Sequence, residues 1–362
     1  MNRRELIRMA AAAAFYPLYG GATRAWPQVN QTVDDSPEQH AVDMMPDYKP
    51  REAVHGVLRL WGHGAPKLVF MGKLAHAWED EFTRLQPKAR FEYDMYGTAS
   101  AMGALYTRAG DVAVLGQEIY GFEERTFQRV LHHPPFQVNV ATGSCDVRNF
   151  DFAIVVYVHR SNSLNHLTLD QLSQIFAWQP DARANITRWG QLGLTGVMQD
   201  RPINLYGWRS DDVFSTFLQS KVLHGNHKWR CSVQEFAHIH RPDGTVYDSG
   251  QQILDRLADD PYGMAFSNYR YAGPEVKPFA IGWNAGGPYW IATKQTLIDQ
   301  KYPLGRMIPA VADRKPGRPL VPLVREFLLY LLSKQGQQQI VSDGRYLPLS
   351  PDAAAAARAR VM

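Results

Sequence analysis

The sequence predicts an α/β protein in which helices flank mainly parallel sheets. Short apolar runs typical of buried strands recur along the 362-residue chain, among them DVAVLGQ at 111–117 and FDFAIVVYVH at 150–159. Segments with apolar residues at helical spacing lie between them, as in KLVFMGKLAHAWEDEFTRLQP at 67–87, which ends at a proline. Strands that alternate with helices favour parallel pairing, because a parallel connection needs a crossover that a helix supplies.

The first half of the chain alternates in this way up to residue 159. The predicted strands are 53–62, 89–97, 111–117 and 150–159, and the predicted helices are 67–87 and 100–110. Ser100 is a suitable N-cap for the second helix, and Gly110 is a suitable stop. The preceding residues 26–54 are polar, contain proline and lack clear periodicity, so we expect a flexible lead-in there.

The second half continues the alternation and closes with a strongly helical stretch. The predicted strands are 201–208 and 263–272, and the predicted helices are 168–177, 211–223, 250–260 and, as one long helix or a helix pair, 319–344. Thr168 is placed to cap the first of these helices. The segment RSDD at 209–212 lies at a helix start, where Ser and Asp side chains cap free N–H groups and where anions also bind.

The composition is that of a globular protein with enough material for a sizeable core, at 45% hydrophobic and 20% charged residues. The formal net charge is +4, and basic residues are mixed with acidic ones outside the N-terminus, which argues against nucleic-acid binding. Cys145 and Cys231 lie far apart and outside any C-x-x-C motif, so their spacing leaves both a disulfide and two thiols open.

Residues 1–25 have the layout of an export signal. A basic start with Arg3 and Arg4 precedes a modest apolar stretch and then small residues, and we expect cleavage after Ala25. The paired arginines predict the twin-arginine route, with a Sec signal as the alternative. The apolar stretch is too short to span a bilayer, and no later run reaches that length, so we expect a soluble protein in the periplasm.

Several segments resemble, in the right order, those of the phosphate-binding periplasmic proteins of ABC transporters. FAIVVYVHRSNSLNHLTLDQLSQIFAWQ at 152–179 resembles the family's apolar strand followed by N-P-x-x-x-L-T-x-x-Q-L-x-x-I-F. The segment 302–349 resembles the family's C-terminal part, with Tyr-Pro-Leu, an arginine, a Lys-Pro-Gly turn and a helix ending in Ser-Lys-x-Gly-Gln. GDVAVLGQEI at 110–119 and GMAFSNYRYA at 263–272 resemble two further strands of the family, and together the likeness covers residues 56 to 349.

The resemblance implies the two-lobed type II periplasmic-binding-protein fold, in which two chain crossings form a hinge and the ligand lies between the lobes. Lobe 1 would comprise 55–146 and 276–350, lobe 2 would comprise 147–275, and 351–362 would be a C-terminal tail. The resemblance also implies a small oxyanion held by N–H groups and hydroxyls at helix starts. Such donors must replace the water that a buried anion gives up.

The first expected ligand loop is GHGAPKL at 62–68, where Gly64 and Ala65 are the binding candidates. Relatives carry Ser or Thr near Ala65 and Pro66, so this chain lacks the hydroxyl, and Pro66 also lacks a backbone donor. His63 and Lys67 could supply positive charge instead. Pro66 also suits the first position of a helix without any role in binding.

The second loop, YGTASAMGAL at 96–105, keeps the pattern of the family's Gly-Ser-x-Gly loop. Thr98 takes the place of the donor hydroxyl, Gly97 permits close approach of the backbone, and Ala99 completes this part of the candidate site. On the third-strand loop, Gly116 stands where some relatives have an aspartate that accepts a hydrogen bond from a protonated phosphate.

The third loop is RSDD, where relatives carry Ser-Gly-Thr. Ser210 is kept, Asp211 and Asp212 replace Gly and Thr, and Arg209 adjoins the serine instead of preceding it by the usual gap. Two carboxylates facing a phosphate dianion would cost on the order of several kcal/mol at short range. Either Asp211 replaces the missing aspartate of the Gly116 loop from another direction, or both carboxylates point outward and cap the helix.

These features predict an exported, monomeric solute-binding protein that captures an oxyanion, phosphate first, and delivers it to an ABC transporter permease without bond chemistry or a cofactor. The alternative is a divergent paralogue with altered or lost ligand binding that acts as a sensor or adaptor for a membrane partner. A hydrolase or metal enzyme is the third hypothesis. Its metal ligands would come from a cluster whose spacing fits no standard site, namely His224, His227, Cys231, His238 and His240.

Overall fold

The computed structural model describes residues 36–63, 70–145, 152–224 and 228–362. The strands, numbered along the chain, are β1 (His55–Gly62), β2 (Lys88–Asp94), β3 (Val112–Val114), β4 (Phe136–Gly143), β5 (Val155–His159), β6 (His166–Thr168), β7 (Asn204–Trp208), β8 (Val233–Phe236), β9 (Ile239–His240), β10 (Val246–Tyr247), β11 (Gly263–Ser267), β12 (Val276–Pro278), β13 (Ala280–Gly282), β14 (Tyr289–Trp290), β15 (Met307–Ala312) and β16 (Tyr346–Leu347).

The α-helices of the described residues are α1 (Pro37–Asp43), α2 (Phe70–Leu85), α3 (Thr98–Thr107), α4 (Gly121–Leu131), α5 (Leu169–Phe176), α6 (Val213–Lys221), α7 (Ser249–Ala258), α8 (Lys294–Ile298), α9 (Pro322–Leu331), α10 (Lys334–Asp343) and α11 (Pro351–Val361). Short 3₁₀ turns lie at Ala182–Ala184, Trp189–Leu192, Gly196–Met198 and Tyr269–Tyr271. The predicted α/β class is confirmed. The stretch 319–344 forms a helix pair, since α9 and α10 are separate helices.

Lobe 1 is a six-stranded sheet, in the order β16-β4-β15-β3-β1-β2, covered by helices on both faces. Successive side chains of a strand point to opposite faces, and β3 shows the consequence. Val112 and Val114 pack with α2 and α9 in the main core, whereas Ala113 packs with α3 and α4 in a second, smaller core. On α2, Trp78 is fully buried and its indole N–H donates to the carbonyl of Gly336 at 2.9 Å.

Lobe 2 is built around a five-stranded sheet in the order β12-β5-β11-β7-β8. A three-stranded sheet, β14-β13-β6, and the β9–β10 hairpin complete it. Its core contains fully buried aromatic residues from helix, turn and strand, including Phe176, Trp189 and Phe266. Helix α5 begins at Thr168 as predicted, because the Thr168 hydroxyl accepts from the N–H of Gln171 at 3.1 Å.

Both main sheets are mixed: part of each is parallel and part antiparallel. In lobe 1, β1 pairs in parallel with β2 and β3, but β15 is antiparallel to β3 and β4. The reason is the path of the chain, which leaves lobe 1 at the end of β4 and re-enters at the start of β15. The start of β15 therefore lies at the same edge as the carboxyl ends of β1 and β3.

The two crossings between the lobes lie side by side. Where the first leaves lobe 1, the Gly143 N–H donates to the Arg306 carbonyl at 3.0 Å. Where it enters lobe 2, the Ile154 N–H donates to Leu304 at 3.1 Å, and the Tyr302 hydroxyl donates to Ile154 at 2.9 Å. The hinge therefore pairs residues 143–145 and 152–154 with 302–306.

Three expected boundaries differ from the structure. The second segment of lobe 1 begins near Arg306 and not at 276, because β12 and β13 pair with strands of lobe 2. Residues 36–54 are not a flexible lead-in, since they contain α1 and buried residues such as Val42 and Tyr48. The expected tail forms α11 and buries Ala354 and Val361 against lobe 1. The remainder of the lead-in and the export signal lie outside the described residues.

Among the described residues, none of the helices combines the length and the apolar character that crossing a membrane requires. Cys145 is buried and Cys231 is exposed, and no disulfide joins the two.

Candidate functional site

The first predicted loop is described only at its edge. Gly64 and Ala65, with Pro66 and Lys67, lie outside the described residues. The loop starts from a fixed point, since β1 ends at Gly62 and the His63 N–H donates to the carbonyl of Val114 at 3.0 Å.

The second predicted loop is fixed beside the end of β1. The Gly97 N–H donates to the Gly62 carbonyl at 3.2 Å, and Gly97 has φ 129° and ψ 163°, a conformation that favours glycine. Helix α3 starts at Thr98, so Gly97 is its N-cap and not Ser100 as predicted. The Ser100 hydroxyl instead donates to the Gly97 carbonyl at 2.8 Å.

The first turn of α3 keeps its donors available. Helix α3 has no side-chain cap, and among the described residues no acceptor binds the N–H groups of Thr98, Ala99 or Ser100. Such N–H groups and the helix dipole together favour an anion. The Thr98 hydroxyl is half-buried beside them and accepts from the Gly116 N–H at a long 3.4 Å.

Gly116 is buried next to this helix start, under the ring of His63. A Cβ added at Gly116 would lie 2.3 Å from Cγ of His63, so the ring occupies the space that a side chain would need. The aspartate that some relatives carry at this point could not be accommodated here without displacing His63.

Two residues after Gly116, Glu118 forms an ion pair that the sequence analysis did not predict. Glu118 accepts from Nε of Arg306 at 2.9 Å and from the backbone N–H of Met307 at 2.7 Å. The Arg306 side chain is fully buried, while that of Glu118 is 20% exposed. The sequence offered one indication of this pair, the glutamate in the GDVAVLGQEI segment. Its partner could not be inferred from the sequence, because Arg306 is 188 residues away.

Arg306 also reaches the opposite lobe. Its guanidinium carbon lies 4.4 Å from the ring centroid of Phe217 on α6, a cation–π contact across the hinge. Nearby, the Tyr120 hydroxyl donates to the Val213 carbonyl in the first turn of α6 at 3.2 Å. The start of α6 therefore lies against the third-strand loop of lobe 1, and the second and third predicted loops share one interlobe region.

In the third predicted loop, the expected donors already have acidic partners. Arg209 and Asp211 form a two-point ion pair, with one Nε–Oδ1 contact of 2.9 Å, and both side chains are more than half exposed. The Ser210 N–H donates to the Glu235 carboxylate at 3.2 Å. Arg209 is therefore neutralised at the surface, and the Asp211 carboxylate is paired with this arginine.

Asp212 is the N-cap of α6. Its carboxylate accepts from the Phe214 N–H at 2.9 Å, which is the outcome expected for a capping residue. Burial raises the pKa of this carboxyl, partly offset by the Phe214 N–H and by His238, and the charges of Asp211 and Asp248 raise it further. A protein carboxylate thus caps the α6 terminus, whereas no side chain of the described residues caps the α3 terminus.

Two of the histidines considered as metal ligands have separate acidic neighbours. His224 lies 3.4 Å from Asp170, and His238 lies 3.6 Å from Asp248. Over the part of the chain that the structure describes, which leaves out His227, no three His, Cys, Asp or Glu side chains are grouped as metal ligands would be.

Comparison with known proteins gives the family. The family model described as a PBP superfamily domain matches residues 70–335, more than two thirds of the chain. The chain belongs to this family. A phosphate-binding protein PstS from Pseudomonas aeruginosa is 25% identical over 308 residues, covering 84% of this chain and 87% of the relative.

Solved structures agree on the fold of this PBP superfamily member. A PstS from Borrelia burgdorferi has a TM-score of 0.54 at 14% identity, covering 82% of this chain and all of the other. An ABC-type phosphate transport receptor from Vibrio cholerae has a TM-score of 0.50 at 13% identity, covering 80% and 99%. The predicted two-lobed fold is therefore confirmed.

Proposed function

We propose that this protein is a solute-binding protein that holds a small oxyanion, phosphate first, between its lobes and presents it to an ABC transporter permease. The observation that carries the proposal is the open first turn of α3, with Thr98 beside it and the buried Arg306 cation at the same edge of lobe 1. The likeness to a phosphate-binding protein over 84% of the chain supports the choice of ligand.

The work is capture and closure without bond chemistry. N–H groups at a helix start and a hydroxyl provide aligned donors for the anion, and the contacts from Tyr120 to Val213 and from Arg306 to Phe217 hold the lobes together. We further propose a monomer in the periplasm, exported through the twin-arginine-like signal of residues 1–25.

Calorimetric titration with phosphate tests the proposal. Wild type should bind with micromolar affinity, and Thr98→Ala should weaken binding at least tenfold because a hydrogen bond to a charged group contributes about 1.5–3 kcal/mol. Thr107→Ala, at the other end of the same helix, is the matched control and should leave affinity unchanged. Equal affinities for the two variants would exclude the α3 terminus as the ligand site.

The third loop favours a second candidate function, that of a sensor or adaptor with an altered ligand or none. Glu235 occupies the Ser210 N–H, Asp211 neutralises Arg209, and Asp212 caps α6. These carboxylates leave lobe 2 few donors for a dianion. An absence of heat at millimolar phosphate would favour this second function over the first.

A further inference from the structure

A cavity of the described residues lies in lobe 2, away from the interlobe region. It has a volume of about 460 Å³ and lies beside the first residues of β7, whose last residue leads into the Arg209–Asp212 loop. Three arginines line it, together with polar groups of β7 and β8. We call it the arginine groove, defined by Arg188, Arg230 and Arg256.

The residues that line the arginine groove include three basic side chains and no acidic one. Among the described residues, none of the three arginines has a carboxylate within ion-pair distance, and the lining contains neither Asp nor Glu. The buried Asp260 carboxylate lies behind two lining residues and accepts from the Tyr206 hydroxyl at 2.7 Å and from the Asn204 amide at 2.8 Å. A concave site lined by charges of one sign concentrates counter-ions.

Each arginine is held by a different neighbour. Arg230 is half-buried, and its Nη1 donates to two carbonyls, those of Ile175 at 2.8 Å and Ile186 at 3.0 Å. Arg188 donates from Nη1 to the Asp200 carbonyl. Arg256 stacks over the ring of Tyr206 at 5.6 Å.

These contacts restrict the three side chains before any ligand arrives. Among the described residues, hydrogen bonds from Arg188 and Arg230 involve only Nη1 of each, so further guanidinium donors line the groove. Preorganised cations lose less conformational entropy on binding than free surface arginines do.

We propose that the arginine groove is a second anion site, which takes a small polyanion carrying two or more phosphate or carboxylate groups. Guanidinium forks match both groups with paired hydrogen bonds. A volume of about 460 Å³ is within the range of small-molecule sites and exceeds the needs of one orthophosphate ion. The site is separate from the cleft, since the five residues of β7 place about 15 Å between the two ends of the strand.

Titration calorimetry at 0.15 M NaCl tests the site, with tripolyphosphate and citrate as probes for the phosphate and carboxylate forms of the ligand. Wild type should bind one of them at a 1:1 ratio, and the double variant Arg188→Gln/Arg256→Gln should bind it at least 30-fold more weakly. These two residues are exposed, whereas Arg230 also ties two backbone carbonyls and is left in place.

The matched control is Arg129→Gln, which removes one exposed arginine of α4 in lobe 1 and should change affinity less than twofold. Thr98→Ala should also leave this binding unchanged, which separates the groove from the proposed oxyanion cleft. The proposal is overturned if neither probe binds saturably, or if the double variant keeps wild-type affinity.

Discussion

The Glu118–Arg306 pair and the Arg160–Glu275 pair differ in burial but have the same contact distance. In each, Nε lies 2.9 Å from Oε2 of the glutamate. The Arg306 side chain is 0% exposed, against 61% for Arg160. Converting each glutamate to glutamine removes one charge with little change of shape, so the two variants isolate the effect of burial.

We expect Glu118→Gln to lower the free energy of unfolding by about 3 kcal/mol, because it leaves a buried guanidinium without its charged partner. This value is at the lower end of the range usual for breaking a buried ion pair, since Glu118 is itself 20% exposed. We expect Glu275→Gln to cost about 0.5 kcal/mol, as for other exposed ion pairs.

Urea denaturation followed by tryptophan fluorescence measures both changes. With a slope of about 3 kcal/mol per molar urea, the midpoint should fall by about 1 M for Glu118→Gln and by about 0.2 M for Glu275→Gln. Far-ultraviolet circular dichroism checks that each variant is folded before denaturation. Equal midpoint shifts would refute the reasoning, because burial would then make no difference to the strength of the pair.

Three further predictions concern the same region. Gly116→Ala should cost about 1–3 kcal/mol, because its Cβ would lie 2.3 Å from Cγ of His63, and urea denaturation should show the loss disappearing in a His63→Ala background. Asp212→Asn keeps a capping side chain but removes the titrating group. In the wild type the pKa of Asp212 is raised above 3.8 in the folded state, so ionising this carboxyl costs more when the protein is folded. The wild type therefore loses stability as the pH rises from 3.8 through the folded-state pKa. The variant should therefore gain relative stability across that window in urea titrations at several pH values, and a constant difference would contradict this. Tyr120→Phe removes the 3.2 Å hydrogen bond to Val213, worth about 1 kcal/mol, and should lower the ratio of closed to open molecules about fivefold, as measured by fluorescence energy transfer between the lobes.

Strong periodicity identified the elements that form most of each lobe. Helix α2 is amphipathic over 16 residues, and β1 lies within the predicted run 53–62. In contrast, β15 was missed because it contains Pro309, a residue that argues against a central strand. The structure accommodates Pro309 at a register shift between Ile308 and Pro309, an irregularity that sequence alone does not reveal.

The candidate site was predictable where it is local in sequence. Gly97 and Thr98 were selected because one short loop contains both the turn glycine and the hydroxyl, and their role toward a ligand stays a prediction. Arg306 and Glu118 were not, because they meet only when the chain returns across the hinge to pair β15 with β3. The role of Asp212 was left between cap and ligand; its contact to the Phe214 N–H shows that it caps α6, and a role toward a ligand stays a prediction.

The two helix starts at the interlobe region differ in charge, and this difference restricts the ligand. The α3 terminus has N–H donors without a partner among the described residues, whereas Asp212 caps the α6 terminus and has a pKa raised by burial. On the proposed function, an anion seated on α3 would face the Asp212 carboxylate, an acceptor, across the interlobe region. A protonated oxyanion can donate a hydrogen bond to such an acceptor, while a fully ionised one is repelled by it. A solute-binding protein built this way should favour phosphate over sulfate, because phosphate retains a proton near neutral pH.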